Sequence, residues 1–306
     1  MTSTIALALI GAGKFGRNYI RTIKGLPGMR LAAVASNNKE TTALLPEGCE
    51  QVSDWRALPK RKDIDGIIIA TPTPLHAEMI LACLVSGKPV LCEKPLTLNF
   101  VEAETVAKAA ERSKLPVQID HIYLFHAAFQ AMLAALARVG KLTRIEGIGG
   151  NIGPFRPDTT PRWDWGAHDL AMMLAVLRAA KLPTAPLRME AKRLKQEQRP
   201  EGYGEIVQLD FVYETLSTRL TFGNIMEPKT RRFTLTGENG TLVFDDLAPQ
   251  KLTLNGAPLP CDGKLPLDAA ILRFADTVKK PAPEHSDHAL GAEVVRLLER
   301  ADHLLA

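Results

Sequence analysis

Ile5-Ala6-Leu7-Ala8-Leu9-Ile10 is followed directly by Gly11-Ala12-Gly13-Lys14-Phe15-Gly16. The apolar run predicts a buried strand, and the segment after Gly16 has the pattern of a helix. A G-x-G-x-x-G turn between a strand and a helix is typical of a dinucleotide-binding fold. In such a fold the first glycine permits the tight turn, the second lets backbone N–H groups approach a pyrophosphate, and the third lets the helix pack closely.

The composition limits the class of protein and of partner. The chain has 306 residues, of which 46% are hydrophobic and 24% charged, and this length favours about two domains. Its net charge of +4 comes from 38 Lys and Arg against 34 Asp and Glu without a long like-charge block, so nothing indicates nucleic-acid binding. No apolar stretch approaches a membrane span, and the first apolar run is too short for a signal peptide, so we expect a cytoplasmic protein. The four cysteines lack C-x-x-C spacing, which favours reduced thiols and predicts no metal site.

The periodicity changes near residue 120 and predicts two domains, over residues 1–120 and 121–306. In the first, apolar runs alternate with amphipathic segments, as in a doubly wound parallel sheet. In the second, a period-two pattern with turns runs from residue 187 to 254 and predicts an antiparallel or mixed sheet. We allow the last two predicted helices to pack back on the first domain. The predicted strands of the first domain are Ile5–Ile10, Leu31–Ala35, Ile64–Ala70, Val90–Cys92 and Val117–Ile119.

Capping and turn residues place several helices and one hairpin. Asn99 predicts the start of a helix over Phe100–Lys114, and Thr73 with Pro74 predicts the start of another that Gly87 ends. Glu238-Asn239-Gly240 predicts a hairpin turn. Further helices are predicted over residues 125–139, 166–180, 266–279 and 286–304.

Ligands of an open α/β sheet bind outside the carboxyl ends of its strands, so the residues after each strand are candidates for chemistry. The third predicted strand is followed by Thr71-Pro72-Thr73-Pro74 and His76, and the fourth by Glu93-Lys94-Pro95. Lys94 is placed to present its ammonium to a substrate hydroxyl and to favour a developing alkoxide. The alternative is a Lys94 that pairs with Glu93 on a loop surface, and the residues alone leave both open.

A second candidate group lies at the predicted start of a helix, in Trp163-Asp164-Trp165-Gly166-Ala167-His168-Asp169. Asp164 and His168 share a helix face if the helix begins early, and an imidazole exchanges a proton near neutral pH. In the alternative, Asp164 caps the helix and His168 is a hydrogen-bonded core residue. The further candidates are two arginines that bind an anion or are merely solvated, and two histidines with apolar neighbours that favour a structural role: Arg156, Arg162, His121 and His126.

Together these motifs resemble the glucose-fructose oxidoreductase, inositol dehydrogenase and MocA family of NAD(P)-dependent oxidoreductases. The similarity covers nearly the whole chain in the family's order. It rests on the glycine motif, Ala70-Thr71-Pro72 with His76, the block Gly87–Leu96, Asp164 with His168, and Gly237–Leu242. It implies a Rossmann domain followed by a substrate-binding and oligomerisation α/β domain, whose large open, mainly antiparallel sheet often forms the face of a homodimer or homotetramer.

The resemblance also implies residue roles. Lys94, Asp164 and His168 correspond to the family's active-site lysine, aspartate and histidine, with His168 as the proton acceptor. The substrate-binding candidates are Arg156, Arg162 and His121. The cofactor-binding set comprises Gly11, Gly13, Lys14, Phe15, Gly16, Ser36, Asn37, Lys39, Thr71, Pro72, His76, Glu93 and Lys94.

One segment departs from the family's pattern. Many members carry an arginine before a Phe or Tyr after the fifth strand, whereas this chain has Ile122-Tyr123-Leu124-Phe125-His126, so we carry over no substrate contacts from that segment. The Trp-Asp-x-Gly-x-His-Asp run looks more like members that act on nucleotide-linked sugars or sugar acids. The implied activity is hydride transfer between the nicotinamide and a secondary alcohol or carbonyl of a sugar, sugar acid, sugar nucleotide or cyclitol. The alternatives are a non-catalytic dinucleotide-binding regulator and a redox-assisted glycoside hydrolase.

The segment after the second strand bears on the choice of cofactor. NAD-selective folds place a carboxylate there, about 20 residues past the glycine motif, where it binds the ribose hydroxyls and repels a 2′-phosphate. This chain has Ser36-Asn37-Asn38-Lys39 and no carboxylate before Glu40. Hydroxyl, amide and ammonium donors suit a phosphate, which favours NADP. In the alternative, Asn37 binds an unphosphorylated ribose and NAD is also used.

Overall fold

The computed structural model describes residues 4–156, 159–280 and 286–306. Backbone contacts divide the chain into two units. The first unit comprises Met1–Asp120 and Leu267–Val295, and the second comprises His121–Pro266 and Arg296–Ala306. The division after Asp120 coincides with the change in periodicity, whereas Leu267–Val295 counts with the first unit.

The first unit contains a six-stranded parallel sheet in the order β3-β2-β1-β4-β5-β6. The order reverses between β1 and β4, and their carboxyl ends form the crevice where such sheets bind ligands. The predicted doubly wound sheet is thus confirmed, but β3 escaped prediction because it is a three-residue edge strand of mostly polar residues. The strands are β1 (Ile5–Ile10), β2 (Met29–Ala35), β3 (Glu50–Val52), β4 (Gly66–Ile69), β5 (Val90–Glu93) and β6 (Val117–Asp120).

α-Helices follow three of these six strands: α1 (Lys14–Gly25), α2 (His76–Val85) and α3 (Phe100–Ser113). As predicted, Asn99 caps α3, since its side chain accepts the N–H of Glu102 at 2.9 Å. The prediction that Thr73 caps α2 is wrong, because Thr73 begins a short 3-10 helix, Thr73–Leu75, that leads into α2. Two further 3-10 helices cover Lys39–Leu44 and Trp55–Lys60.

The second unit contains an eight-stranded sheet in the order β14-β13-β12-β11-β7-β10-β9-β8. β7 and β10 are parallel and the other neighbours antiparallel, which confirms a large, mainly antiparallel sheet. The predicted hairpin is also confirmed, because Thr236 pairs with Thr241 on either side of the turn. The strands are β7 (Leu142–Ile152), β8 (Arg188–Arg199), β9 (Gly202–Val212), β10 (Ser217–Gly223), β11 (Ile225–Gly237), β12 (Gly240–Asp245), β13 (Leu252–Leu254) and β14 (Ala257–Pro258).

Two helices of this unit differ from prediction. The helix predicted over 125–139 is three pieces: the 3-10 helix Ile122–Phe125, α4 (Ala127–Ala134) and the 3-10 helix Leu136–Val139. The helix predicted from Gly166 is α5 (Pro161–Ala179) and begins earlier. Its N-cap is Thr160 and proline is its first residue, an arrangement that costs no helical hydrogen bond because the first N–H has no partner in any case. α5 packs on β7, β9 and β10.

Two helices close the chain, α6 (Pro266–Lys279) and α7 (His288–Leu305). Ile271 and Phe274 of α6 belong to the core of the first unit with Leu7 and Tyr19. Within the described residues, no helix has the length and apolar character needed to cross a membrane.

Candidate functional site

In the turn between β1 and α1, contacts within the protein require glycine at two positions. Gly11 has φ of +96°, and a Cβ there would lie 2.6 Å from the carbonyl oxygen of Ala70. A Cβ on Gly16 would overlap the carbonyl oxygen of Gly11. By contrast, a Cβ on Gly13 would meet nothing within 4 Å. The protein itself therefore requires Gly11 and Gly16, and leaves open space in front of Gly13.

The N-terminus of α1 opens onto this space. Gly13 is its N-cap and offers no side-chain cap, and its first turn holds no acidic residue. The first N–H groups of a helix carry partial positive charge and lack helical partners, so an anion is favoured there. The N-terminus of α1, with the open space in front of Gly13, fits the pyrophosphate of a dinucleotide. The exposed Lys14 and Phe15 lie beside it.

The segment after β2 is held by its own hydrogen bonds. The Ser36 hydroxyl lies 2.9 Å from that of Thr41 and accepts the N–H of Asn38 at 3.2 Å. Asn37 and Lys39 are exposed.

Sequence reasoning missed one cation near this segment, Arg17 of α1. Its guanidinium lies 3.6 Å from the carboxylate of Glu40, and both side chains are largely exposed. Glu40 is the first carboxylate after β2. Its negative charge, next to the segment Ser36–Lys39, is therefore opposed by the positive charge of Arg17.

His76 is fully buried between the loops that follow β4 and β5. Its Nδ1 lies 3.0 Å from the carbonyl oxygen of Pro95, and its Nε2 lies 3.0 Å from that of Thr71. Burial lowers its pKa, which favours a neutral ring with one N–H to donate. Both ring nitrogens face backbone, so the ring ties the two loops together, and its contact with the cofactor stays a prediction.

Lys94 directly follows β5 and is only 9% exposed, so the alternative of a surface lysine is wrong. Glu93 is also buried, and its Oε1 lies 3.2 Å from the hydroxyl of Tyr19, which lies 2.5 Å from Oδ2 of Asp120. Burial, and after it the charge of Asp120, raises the pKa of Glu93, while the Lys94 ammonium opposes the rise. Sequence reasoning missed Tyr19 and Asp120. A signal for Asp120 was its place directly after the apolar run of β6.

Asp164 and His168 stand one turn apart on α5, in the second unit. Asp164 lies within the helix, so the alternative that it caps the helix is wrong; its Oδ1 lies 3.5 Å from Nη1 of Arg156. His168 is half-buried. Its ring meets that of Tyr123 edge to face, with centroids 5.2 Å apart and planes at 86°. This edge-to-face contact restrains the plane of the imidazole.

Comparison with known proteins identifies the family. A model of the GFO/IDH/MocA oxidoreductase family, with its NAD-binding Rossmann fold, matches residues 5–121. A crystal structure from Magnetospirillum magnetotacticum MS-1 is 41% identical, with a TM-score of 0.91 over 97% of this chain and 99% of that one. The chain belongs to the GFO/IDH/MocA family. The expected family and its Rossmann fold are thus confirmed.

Relatives of this GFO/IDH/MocA protein with named activities include two of different substrate types. Inositol 2-dehydrogenase 2 of Saccharopolyspora erythraea is 31% identical over 55% of this chain and 52% of its own length. The 4-carboxy-2-hydroxymuconate-6-semialdehyde dehydrogenase of a Sphingobium strain is 32% identical over 40% of each chain. The chain thus spans about half the length of these relatives or less.

In this family member, Tyr123 connects His168 to a buried ion pair. The guanidinium of Arg231, on β11, lies 3.8 Å above the centre of the Tyr123 ring. Arg231 donates to Oδ2 of Asp169 at 2.7 Å, and both residues are buried. Gly149 of β7 makes room, because a Cβ there would overlap the Arg231 guanidinium. Sequence reasoning missed this set, since Arg231 carries no motif.

Arg162 does not fit the predicted role in substrate binding. Its guanidinium donates to both oxygens of Glu205, at 2.9 and 3.0 Å, and also bonds the carboxylate of Asp302. Trp163 donates to the same Asp302 at 2.7 Å. These contacts join α5, β9 and α7 within the second unit, so Arg162 has a structural role.

The two remaining candidate histidines, His121 and His126, are at least partly buried. His121 is 1% exposed, which argues against a substrate contact. His126 caps α4 by accepting the N–H of Ala128 at 3.1 Å, and its Nε2 lies 3.2 Å from Asp246. The structural role of His126 is therefore confirmed. Over residues 4–156, 159–280 and 286–306, no group of His, Cys, Asp and Glu side chains is suited to hold a metal ion.

Proposed function

We propose that this protein is an NAD(P)-dependent dehydrogenase or reductase that acts on a CH–OH group of a sugar, sugar acid, sugar nucleotide or cyclitol. One observation carries the proposal. The buried Lys94 follows β5 of the same sheet in which β1 leads to the N-terminus of α1, where no side chain caps the free N–H groups. Inositol 2-dehydrogenase 2, a relative over half of this chain, supports the substrate class.

We propose that the first unit holds the dinucleotide. Its pyrophosphate would lie against the N–H groups of Gly13 and Lys14, with the exposed Phe15 beside it and Ser36, Asn37 and Lys39 at its adenosine end. Thr71, Pro72 and the backbone of Glu93 line the other strand ends. When bound, the nicotinamide supplies the hydride acceptor or donor.

The chain's own residues supply charge and a proton acceptor. The Lys94 ammonium stabilises the negative charge that develops on the substrate oxygen, and His168 takes the hydroxyl proton. Asp164 orients the substrate hydroxyl or His168, while Tyr123 fixes the plane of the imidazole. Arg156, beside Asp164, is the remaining arginine for an anionic substrate group. These steps require Lys94 and His168 to serve one substrate.

We propose NADP as the preferred dinucleotide. Lys39 is exposed and the carboxylate of Glu40 faces Arg17, which supports a preference for the dinucleotide that carries a 2′-phosphate. NAD use remains the alternative outcome of the titration described below.

The second unit is proposed to bind the substrate and to form a homodimer or homotetramer through its sheet. Its strands carry partly exposed apolar side chains that an interface would cover: Ile148, Ile152, Leu194 and Val212. The free cysteines Cys49, Cys83, Cys92 and Cys261 support a cytoplasmic location.

A substrate screen tests the proposal. Free sugars, cyclitols, uronates and sugar nucleotides are offered with NAD and NADP, and absorbance of the reduced nicotinamide is followed. Net reduction by one compound class supports a dehydrogenase. Sugar release without net reduction points to redox-assisted hydrolysis, and cofactor binding without turnover of any compound points to a regulator.

A further inference from the structure

Three acidic side chains meet inside the first unit at the carboxyl ends of β5 and β6. Glu93 and Asp120 are register partners on these neighbouring parallel strands, so their side chains lie on the same face of the sheet. Tyr19 of α1 packs there, with its hydroxyl 2.5 Å from Oδ2 of Asp120 and 3.2 Å from Oε1 of Glu93. All three side chains are buried, so they share their protons within a closed cluster.

Three further titratable groups interact electrostatically with this cluster. Cys92 precedes Glu93 on β5, Lys94 follows it, and Asp287 lies just before α7. Burial raises the pKa of both carboxyls, and the Lys94 ammonium lowers both. Asp287 adds to the rise at Asp120. Burial also raises the pKa of the Cys92 thiol well above its usual value, so the thiol adds no negative charge at neutral pH. Lys94 is the cation whose charge lowers the pKa of both carboxyls.

Tyr19 has one hydroxyl proton and cannot donate it to both carboxyls. A hydroxyl that donates to an ionised carboxylate approaches to about 2.5–2.7 Å, closer than the usual hydroxyl bond of about 2.7–2.8 Å. The distance to Asp120, 2.5 Å, matches an ionised acceptor, whereas the distance to Glu93, 3.2 Å, does not. Asp120 is therefore the anion.

A second carboxylate is disfavoured beside the first. Two carboxyls in one buried site repel when both ionise, so one of them keeps a proton to a much higher pH. Burial, and after it the charge of Asp120, raises the pKa of Glu93. A protonated Glu93 can donate to the Tyr19 oxygen, which is left with free lone pairs.

We propose that Tyr19 is a positioning residue that directs its hydroxyl proton to Asp120, so that Asp120 is the anion and Glu93 keeps the shared proton beside Lys94. The consequence for catalysis rests on the proposed function. A neutral Glu93 leaves the field of the Lys94 ammonium at a substrate oxygen strong, whereas an ionised Glu93 opposes that field.

Infrared difference spectroscopy of the full chain, without cofactor or substrate, tests where the proton lies. A pH titration followed by the C=O stretch of protonated carboxyls should show a buried carboxylic acid at neutral pH. We expect this band to disappear in Glu93→Gln and to titrate at lower pH in Asp120→Asn, where the repelling charge is gone. A band that survives in Glu93→Gln, or no band at neutral pH in the wild type, would overturn the proposal.

Tyr19→Phe tests the directing role while keeping the buried ring. A hydrogen bond to a charged group is worth about 1.5–3 kcal/mol, so its loss should raise the pKa of Asp120 by about 1–2 units. The double variant Tyr19→Phe/Glu93→Gln should therefore regain a protonated-carboxyl band at neutral pH. Its absence in a folded double variant refutes the role of Tyr19. If Tyr19→Phe does not fold, the comparison of Glu93→Gln with Asp120→Asn decides the proton's place by itself.

Tyr203→Phe is the matched control. The Tyr203 hydroxyl lies 3.2 Å from a Glu205 oxygen in the second unit, so its removal should leave the band and its titration unchanged. A change in that variant equal to that of Tyr19→Phe would contradict the assignment.

The activity measurement separates this inference from the proposed function. With the substrate found by the screen, wild-type kcat should fall at alkaline pH as Glu93 ionises. The fall should be absent in Glu93→Gln, which has no proton to lose at that position. An intact dehydrogenase without the infrared pattern refutes the inference alone. The infrared pattern without any oxidised substrate refutes the function alone.

Discussion

The guanidinium of Arg231 lies 3.8 Å above the centre of the Tyr123 ring. The same ring meets His168, so the proposed proton acceptor is held by an aromatic side chain that also contacts a buried cation. The ion pair of Arg231 with Asp169 fixes the position of that cation. Stacked and edge-on aromatic contacts depend on orientation, so this arrangement sets the plane of the His168 ring.

Tyr123→Leu should lower kcat by about tenfold, because an aromatic contact worth about 0.5–1.5 kcal/mol no longer holds the imidazole. Tyr123→Phe keeps the ring and is the matched control, with kcat expected near the wild-type value. Steady-state kinetics at saturating cofactor, together with the melting temperature, measure both. Equal losses in the two variants would show that the hydroxyl, and not the ring, matters.

Arg231→Leu should lower the free energy of unfolding by about 3–5 kcal/mol, because the buried carboxylate of Asp169 loses its partner. Arg232, the next residue, pairs with Asp245 at 2.9 Å but is 56% exposed. Arg232→Leu should therefore change stability by only about 0–1 kcal/mol. Urea denaturation of both variants provides the measurement. Similar losses at the two positions would contradict the importance of burial.

Lys94→Ala should reduce turnover far more than cofactor affinity, because its ammonium stabilises charge that appears only in the transition state. His168→Ala should lower kcat by about 10²–10⁴-fold, as expected for a lost general base. His126→Ala, which removes a histidine with a capping role, serves as the control and should affect stability more than kcat. Wild-type turnover in Lys94→Ala or His168→Ala would exclude the proposed role of that residue.

NADP should bind more tightly than NAD, and Lys39→Ala should weaken NADP binding while sparing NAD, since only NADP carries the 2′-phosphate. Arg17→Ala should also weaken NADP binding, because it removes a cation and leaves Glu40 unpaired. Lys24→Ala, at the other end of α1, is the control with equal charge loss. Calorimetric titration of both dinucleotides decides the matter. Tighter NAD binding, or NADP affinity unaffected by Lys39→Ala, would refute the preference.

Glu93→Gln should gain stability relative to the wild type as pH rises from 5 to about 8. A carboxyl of raised pKa binds more protons when folded than when unfolded, so the wild type loses stability as pH rises above the unfolded value of about 4.3. The loss continues up to the raised pKa of Glu93, and a glutamine is free of it. Denaturant unfolding at several pH values measures the difference. A pH-independent difference would contradict a raised pKa.

Much of the fold follows from local signals in the sequence. The strand, glycine turn and helix at residues 5–25 are adjacent in the chain, and the positive φ of Gly11 and the close contact of Gly16 with Gly11 arise within one tight turn. Asn99 caps α3 through a residue three positions on. Such features depend on backbone geometry over a few residues, so residue type and spacing suffice to predict them.

Short or overlapping signals were less informative. β3 has three residues, mostly polar, and gains its hydrogen bonds from β2 at the sheet edge. The start of α5 depends on Thr160 and Pro161, which also suit a loop. At β3 and at the start of α5, tertiary contacts determine which of several local conformations of similar energy is formed.

The side chains around the candidate site were decided by the tertiary structure. Tyr19 and Asp120 are 101 residues apart in the chain, and Asp169 and Arg231 are 62 apart. The sequence by itself determined which residue types were available, the Rossmann motif over Gly11–Gly16, and the place of Lys94 directly after a buried strand. Burial and pairing arose only when distant strands and helices came together. A pKa, a buried ion pair or a stacked ring depends on neighbours in space, and neither spacing nor periodicity specifies those.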